Sequence, residues 1–322
     1  MRKITYANAI KEGISEEMRK DNSVFIMGED IGVYGGAFGV TKGMIEELSK
    51  ERVIDTPVSE TAFMGLAIGS AMTGLKPIVE LMFSDFMAVC YDQIINQAAK
   101  MHFAFNKKVP MVIRTASGAG TGASFQHSQS LEQMYANVPG LKVVMPATPY
   151  DAKGLIKSAI KDDNPVVFLE SKEFYNDEGE VPLEEYYIPL GKADLKREGK
   201  DISIITYGRM VKTVLETANQ LEKEGISVEV LDLRSLVPLD TDAIIETAKK
   251  TGRVLIVHEA VKFAGFGGEI LSTIVESDAF NYLKTNIKRL GLGYHPIPFN
   301  KSLEKEVFPT IEKITKQVKE MM

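Results

Sequence analysis

The feature that most constrains this chain is a rhythm of short apolar runs and longer amphipathic stretches, repeated along its length with one interruption. Val24–Met27, Arg52–Asp55, Lys76–Met82, Val109–Thr115, Lys142–Met145 and Pro165–Glu170 read as strands. Helices are predicted between them over Thr41–Ser49, Glu60–Thr73, Phe86–Phe105, Ser130–Asn137 and Tyr150–Lys161. An opening helix is marked by Tyr6, Ala7, Ile10, Ile14 and Met18. Strand and helix in alternation imply a mainly parallel sheet covered by helices. From Lys172 to Lys200 acids, tyrosines and prolines crowd in and no period survives. The alternation then resumes, from a strand at Ile202–Tyr207 to one at Ile287–Gly291. The expected fold class is α/β, with two domains that each carry a mainly parallel sheet flanked by helices. Residues 1–175 form the first, 176–200 a linker and 201–322 the second.

A chain of 322 residues suits two domains, and 44% hydrophobic with 25% charged residues is a globular composition. The net charge of -6 argues against nucleic acid or an anionic membrane as main partner. No apolar run approaches the roughly 18 residues of a membrane span, and the first residues have helical spacing rather than the pattern of a signal peptide. The single cysteine, Cys90, excludes an internal disulfide and suits a reducing cytoplasm.

The stretch Asp55–Phe86 carries the densest chemical signal. Glu60 opens a helix holding Gly65 and Gly69 among Ala62, Ala67 and Ala71. An interior glycine costs about 1 kcal/mol against alanine, so two of them imply close helix packing, in a core or against another subunit. A strand follows, and then the aromatic Phe86. On its own, Glu60 reads better as a first-turn carboxylate favoured by the helix dipole, and Phe86 as a core ring.

Gly118-Ala-Gly-Thr-Gly-Ala123 matches a loose dinucleotide-binding pattern, but no acid follows about 20 residues on to hold a ribose. A nicotinamide enzyme is therefore disfavoured. Gly265-Phe-Gly-Gly268 fails the spacing as well, and no phosphate loop or His/Cys metal spacing is present. Of four histidines, His102 and His258 suit packing and His295 a loop. His127 follows a small-residue loop, where a working side chain is readily presented to substrate.

Taken together, Gly28-Glu29-Asp30, Asp55-Thr-Pro-Val-Ser-Glu60, Asp85-Phe86, Gln126-His-Ser-Gln129 and Pro139-Gly-Leu-Lys-Val-Val144 resemble one family over essentially the whole chain. It is the beta subunit of the thiamine-diphosphate-dependent first component of 2-oxo acid dehydrogenase complexes. The resemblance implies a thiamine pyrimidine-binding domain followed by a transketolase C-terminal-like domain. It implies that Glu60 hydrogen-bonds the aminopyrimidine, largely removed from water, and drives the tautomer that deprotonates the thiazolium carbon. Phe86 would lie against the pyrimidine face, with Glu29, Ser59 and Met82 lining the same pocket. His127 resembles the family histidine that meets the substrate oxygen or the lipoyl group. The resemblance further implies a potassium site, with carbonyls of Met111, Ala159 and Ile160 and the side chains of Asp162 and Asn164. An ordinary helix-to-strand turn would use the same residue types.

The sequence contains no GDG motif for magnesium and the diphosphate. The resemblance therefore implies that an alpha subunit holds Mg2+ in an α2β2 heterotetramer serving a lipoyl acyltransferase. Glu80–Phe86 and Glu180–Asp194 resemble acetoin dehydrogenase beta subunits more than pyruvate ones. Acetoin is the expected substrate, with pyruvate or a branched-chain 2-oxo acid as alternatives. A non-catalytic assembly subunit is the rival of another class, and joint retention of Glu60, Phe86 and His127 speaks against it.

Overall fold

A computed structural model describes residues 1–322 and divides them into two units. The first comprises residues 1–117 and 134–190, and the second 118–133 and 191–322.

In the first unit β1 (Arg2–Thr5) leads into α1 (Tyr6–Lys20), whose first turn is capped by the Thr5 hydroxyl accepting from the Asn8 N–H at 3.2 Å. Then come β2 (Val24–Gly28), α2 (Met44–Leu48), β3 (Val53–Asp55), α3 (Glu60–Met72) and β4 (Lys76–Phe83). They are followed by α4 (Ala99–Phe105), β5 (Val112–Ser117), α5 (Glu132–Ala136, whose first two residues belong to the second unit), β6 (Lys142–Val144), α6 (Pro149–Ile160), β7 (Val166–Ser171) and β8 (Glu178–Val181). The strands of this unit's main sheet run β6-β7-β5-β4-β2-β3, every pair parallel. β2, β5 and β7 are buried along their whole length, which is why they read as unbroken apolar runs. Pro149 at the start of α6 costs nothing, because its missing N–H has no partner in a first turn.

Two features were not expected. β1 pairs antiparallel with β8, Arg2 opposite Val181 and Thr5 opposite Glu178, so part of the segment read as linker belongs to this unit's edge. The predicted helix Phe86–Phe105 is three pieces: a 3-10 turn at Ser84–Ala88, a π turn at Gln93–Ala98, and α4. The wider π turn breaks the periodicity on which a single helix would depend, and Val89, Phe103 and Phe105 are left exposed.

Charge is also buried here. Arg114 on β5 pairs with Glu80 on β4 and, through two bonds of 2.8 and 2.7 Å, with Glu170 on β7. The Tyr175 hydroxyl donates to the same Glu170 at 2.7 Å. The guanidinium geometry satisfies carboxylates on both neighbouring strands, which a lysine could not do. Lys153 and Lys157 of α6 are equally buried and reach Glu16 of α1, at 2.6 and 2.5 Å.

The second unit has β9 (Asp194–Arg197), β10 (Ile202–Thr206), α7 (Met210–Lys223), β11 (Val228–Asp232), β12 (Ser235–Val237) and α8 (Thr241–Thr251). β13 (Val254–Val261), α9 (Gly267–Val275), β14 (Lys288–Leu292), α10 (Lys301–Val307) and α11 (Ile311–Met321) complete it. Its sheet runs β14-β13-β10-β11-β9, parallel except for the edge strand β9. Ile204, Val214, Val230, Leu255 and Ile314 are among its core. No helix of the chain is long and apolar enough to cross a membrane.

Candidate functional site

In the first unit the carboxyl ends of adjacent parallel strands bring the predicted cofactor residues into one neighbourhood, the usual place for ligands in an open α/β sheet. Gly28, the last residue of β2, stands opposite both Asp55 of β3 and Glu80 of β4. Glu29 follows directly. Past β3, the Thr56 N–H donates to the Gly28 carbonyl at 2.9 Å and Asp55 Oδ1 accepts from the Gly32 N–H at 2.6 Å. These bonds fix the turn that delivers Ser59 and Glu60 to the start of α3. Met82 sits where the β4–β5 register shifts, between Leu81 and Phe83. Such an irregularity re-aims a side chain at the end of a strand.

Phe86 lies on the 3-10 turn after β4, edge-on to Phe83 with ring centroids 5.6 Å apart. Phe83 meets Phe38 in the same edge-on manner at 5.8 Å, and Phe38 stacks on Tyr175 at 4.7 Å. The end of the turn is tied to α3 by the Thr61 hydroxyl, which donates to the Val89 carbonyl at 3.1 Å.

Glu29 is the buried carboxylate of this group, only 5% exposed. Burial, then the charge of Glu60, push its pKa up, and the Ser59 N–H donating to it opposes them. Its Oε1 has no hydrogen-bond partner, and neither does the buried Thr56 hydroxyl. Glu60 is half-buried in the single chain, unlike the group shut away from water that the resemblance implied. The reason is visible on α3. Thr61, Ala62, Gly65, Leu66 and Gly69 form an exposed face, and a methyl added at Gly65 or Gly69 would meet nothing within 4 Å. The two glycines do not pack against the chain's own core. Cys90 is buried and its thiol is pushed up to about 12, by burial first and then by Glu60.

An orphaned carboxylate oxygen, a second carboxylate close enough to shift it, and an aromatic ring on the adjoining turn suit a flat, nitrogen-bearing ring. Such a ring offers the donors that Glu29 and Glu60 lack. The residues therefore fit the pyrimidine half of thiamine diphosphate.

The five residues of the expected potassium site lie around the turn after α6. The Met111 carbonyl accepts from the Val166 N–H at 3.0 Å and the Ala159 carbonyl from the Asp162 N–H at 3.2 Å. Ile160 is the last residue of α6. Asp162 Oδ1 accepts from the Asn164 N–H at 2.9 Å, and its Oδ2 takes the Lys142 ammonium. The Asn164 side-chain oxygen is bonded to His102 Nδ1 at 2.7 Å.

His127 belongs to the second unit. It closes a 3-10 turn, Phe125–His127, in a loop whose ends are joined by the Gly118 N–H donating to the Gln129 carbonyl at 3.2 Å. Phe125, Gln126 and Gln129 of this loop form one wall of a mainly apolar cavity of about 440 Å³; Val261, Tyr294 and Phe308 stand on the other. Beside it Glu132 is fully buried, and the Tyr207 hydroxyl donates to it at 2.8 Å. Burial pushes the Glu132 carboxyl up to about 7. Nothing in the sequence points to this group, because a glutamate opening a short helix reads as a solvated first-turn acid.

The transketolase pyrimidine-binding domain family matches residues 2–178, and the transketolase C-terminal domain family matches residues 191–314. Among curated relatives, the chain is 46% identical to the acetoin:2,6-dichlorophenolindophenol oxidoreductase subunit beta of Bacillus subtilis, over 100% of this chain and 98% of that one. It is 45% identical to the 2-oxoisovalerate dehydrogenase subunit beta of the same organism, over 99% and 98%. It is 43% identical to the mitochondrial pyruvate dehydrogenase E1 component subunit beta of Saccharomyces cerevisiae, over 99% and 89%. In fold it is similar to a split-gene transketolase solved as an inactive beta4 tetramer, with a TM-score of 0.81, 21% identity and coverage of 99% and 98%.

Proposed function

Because the chain belongs to the family of beta subunits of thiamine-diphosphate-dependent acetoin and 2-oxo acid dehydrogenases, we propose that it supplies the pyrimidine half of such an active site. An alpha subunit would supply the Mg2+ and diphosphate half, in an α2β2 enzyme that passes an acyl group to a lipoyl acyltransferase. The observation that carries this reading is the buried, unpartnered Oε1 of Glu29 beside Glu60, at the strand ends that also present Phe86. When bound, thiamine diphosphate supplies a nucleophilic thiazolium carbon. The chain's own residues do the rest. Glu60 exchanges a proton with the pyrimidine ring, and Glu29 and Ser59 hold the polar edge of the pocket. Met82 and Phe86 exclude water and fix the plane of the ring. His127 holds or donates a proton at the oxygen of the substrate or at the lipoyl sulfur.

We favour acetoin as substrate. The support is the Glu80–Phe86 and Glu180–Asp194 stretches together with acetoin relatives at 46% identity over the whole chain in two bacteria, set against 45% for the 2-oxoisovalerate relative and 46% over 94% of the chain for a pyruvate relative. The carbonyls of Met111, Ala159 and Ile160 and the side chains of Asp162 and Asn164 are proposed to hold K+, in competition with Lys142 for Asp162. A lone, buried and unpaired Cys90 supports a cytoplasmic setting.

The test is to reconstitute the chain with its alpha subunit and follow thiamine-dependent reduction of an artificial electron acceptor. Acetoin, pyruvate and branched-chain 2-oxo acids are compared in parallel. Acetoin should give the highest kcat/KM. Turnover by the chain without an alpha subunit would refute the split site.

A further inference from the structure

The glycine loop that resembles a dinucleotide motif does hold an anion, and that anion is part of the same chain. Gly118, Gly120 and Gly122 have φ of +83°, +102° and +70°, values that residues with a side chain rarely adopt. Backbone bent in this way turns successive N–H groups inward and makes a concave anion-binding nest. The Gly120 N–H donates to Glu304 Oε1 at 3.0 Å and the Gly122 N–H to Glu304 Oε2 at 3.1 Å. The Ala119 N–H donates to Glu259 Oε1 at 2.7 Å, and Arg209 balances that carboxylate at 3.1 Å. Glu304 is only 3% exposed. A methyl at Gly118 would lie 2.6 Å from Glu259 Oε2, and one at Gly122 2.7 Å from the Lys301 side chain. The loop is seated tightly at both positions. All of these groups lie within the second unit.

We propose that Glu304 is a positioning residue. Its carboxylate clamps the glycine loop through two backbone N–H groups and thereby fixes the place of His127, five residues beyond Gly122. The inference rests on the reading of His127 given above. The chemistry favours a carboxylate over any neutral side chain. Both oxygens accept, charge-assisted bonds are roughly twice as strong as neutral ones, and the rigid fork sets the spacing of two amides at once. An amide in its place would turn a donor toward one of the two N–H groups. A catalytic group displaced by about 1 Å loses up to about a hundredfold in rate.

The experiment uses the intact enzyme reconstituted with the alpha subunit and makes Glu304→Gln, Glu304→Asp, His127→Ala and the double variant Glu304→Gln/His127→Ala. Hydrogen exchange at residues 119–124 should accelerate at least about tenfold in Glu304→Gln, because both tethers weaken. Acyl transfer should fall by about ten- to a hundredfold, mainly in kcat. In the His127→Ala background the same substitution should cost less than about twofold, since two residues acting as one unit are not additive. Gly122→Ala disturbs the clamp from the loop side and should reproduce the Glu304→Gln pattern, which covers the case of a Glu304 variant that does not fold. Unchanged exchange in the loop would overturn the clamp. Faster exchange with an equal loss in both backgrounds would overturn the link to His127. Full turnover by His127→Ala would overturn the role of that histidine and the positioning claim with it, while the exchange data still decide the clamp.

Discussion

Glu29→Gln should stabilise the cofactor-free chain while harming the enzyme. Glu29 is 5% exposed and one of its oxygens is buried without a partner. Leaving a buried polar group unsatisfied costs about 1–3 kcal/mol, and more when it is charged. Glutamine removes the charge and keeps an acceptor for the Ser59 N–H. Each kcal/mol moves the midpoint of a domain of this size by about 2–4 °C, so Tm should rise by at least about 2 °C at pH 8. The sign with pH follows from linkage. The folded pKa of Glu29 is raised, by burial first and then by the charge of Glu60. The folded state therefore binds this proton more tightly than the unfolded one. Its contribution to stability is fully present below the ordinary glutamate value, about 4.3, and is lost as pH rises through the raised folded pKa. The advantage of Glu29→Gln should thus be largest at pH 8 and vanish toward pH 4. It should shrink in a Glu60→Gln background, where the second cause is gone. Melts of the wild type and the variant that run parallel from pH 4 to 8, or an advantage that grows toward acid, would refute the reasoning.

Glu60→Gln in the reconstituted enzyme should slow proton exchange at the thiazolium carbon by about 10²–10⁴-fold with little loss of cofactor affinity, measured by quenched-flow NMR; a wild-type exchange rate would exclude the role proposed for Glu60. Thermal melts should show a higher Tm in potassium than in a large organic cation, because an ion that binds only the folded state stabilises it, and Asp162→Ala should abolish the difference. Equal melts in the two salts would leave residues 159–164 as a turn closed by Lys142.

The parts of the fold legible in the sequence are those with a local, periodic signal. Val24–Gly28 and Val166–Ser171 are buried on both faces and read as continuous apolar runs. The α3 helix begins at Glu60, as its composition predicts. What escaped depends on partners far along the chain. Arg2–Thr5 is too short and polar to announce a strand, and it becomes one only opposite Glu178–Val181. Glu304 lies in Lys-Ser-Leu-Glu-Lys-Glu, which reads as a solvated helix face, yet its acceptors serve amides 182 and 184 residues away. In the candidate site, the sequence presents Glu29 and Glu60 as two similar acids. Only the packing separates a buried carboxylate at a strand end from a half-buried one on an open helix face.

The clamp on the glycine loop also sets an order of events during synthesis. Gly120 leaves the ribosome 184 residues before the glutamate that will hold it. At about 5–20 residues per second, that delay lasts on the order of ten to forty seconds. Through that delay the Gly120 and Gly122 amides lack the carboxylate that will hold them. Much of the first unit's sheet has already emerged by then, so this loop is among the last backbone the chain sets. A ribosome stalled between β14 and Glu304 would hold a nascent protein whose parallel strands are made and whose glycine loop still lacks its clamp.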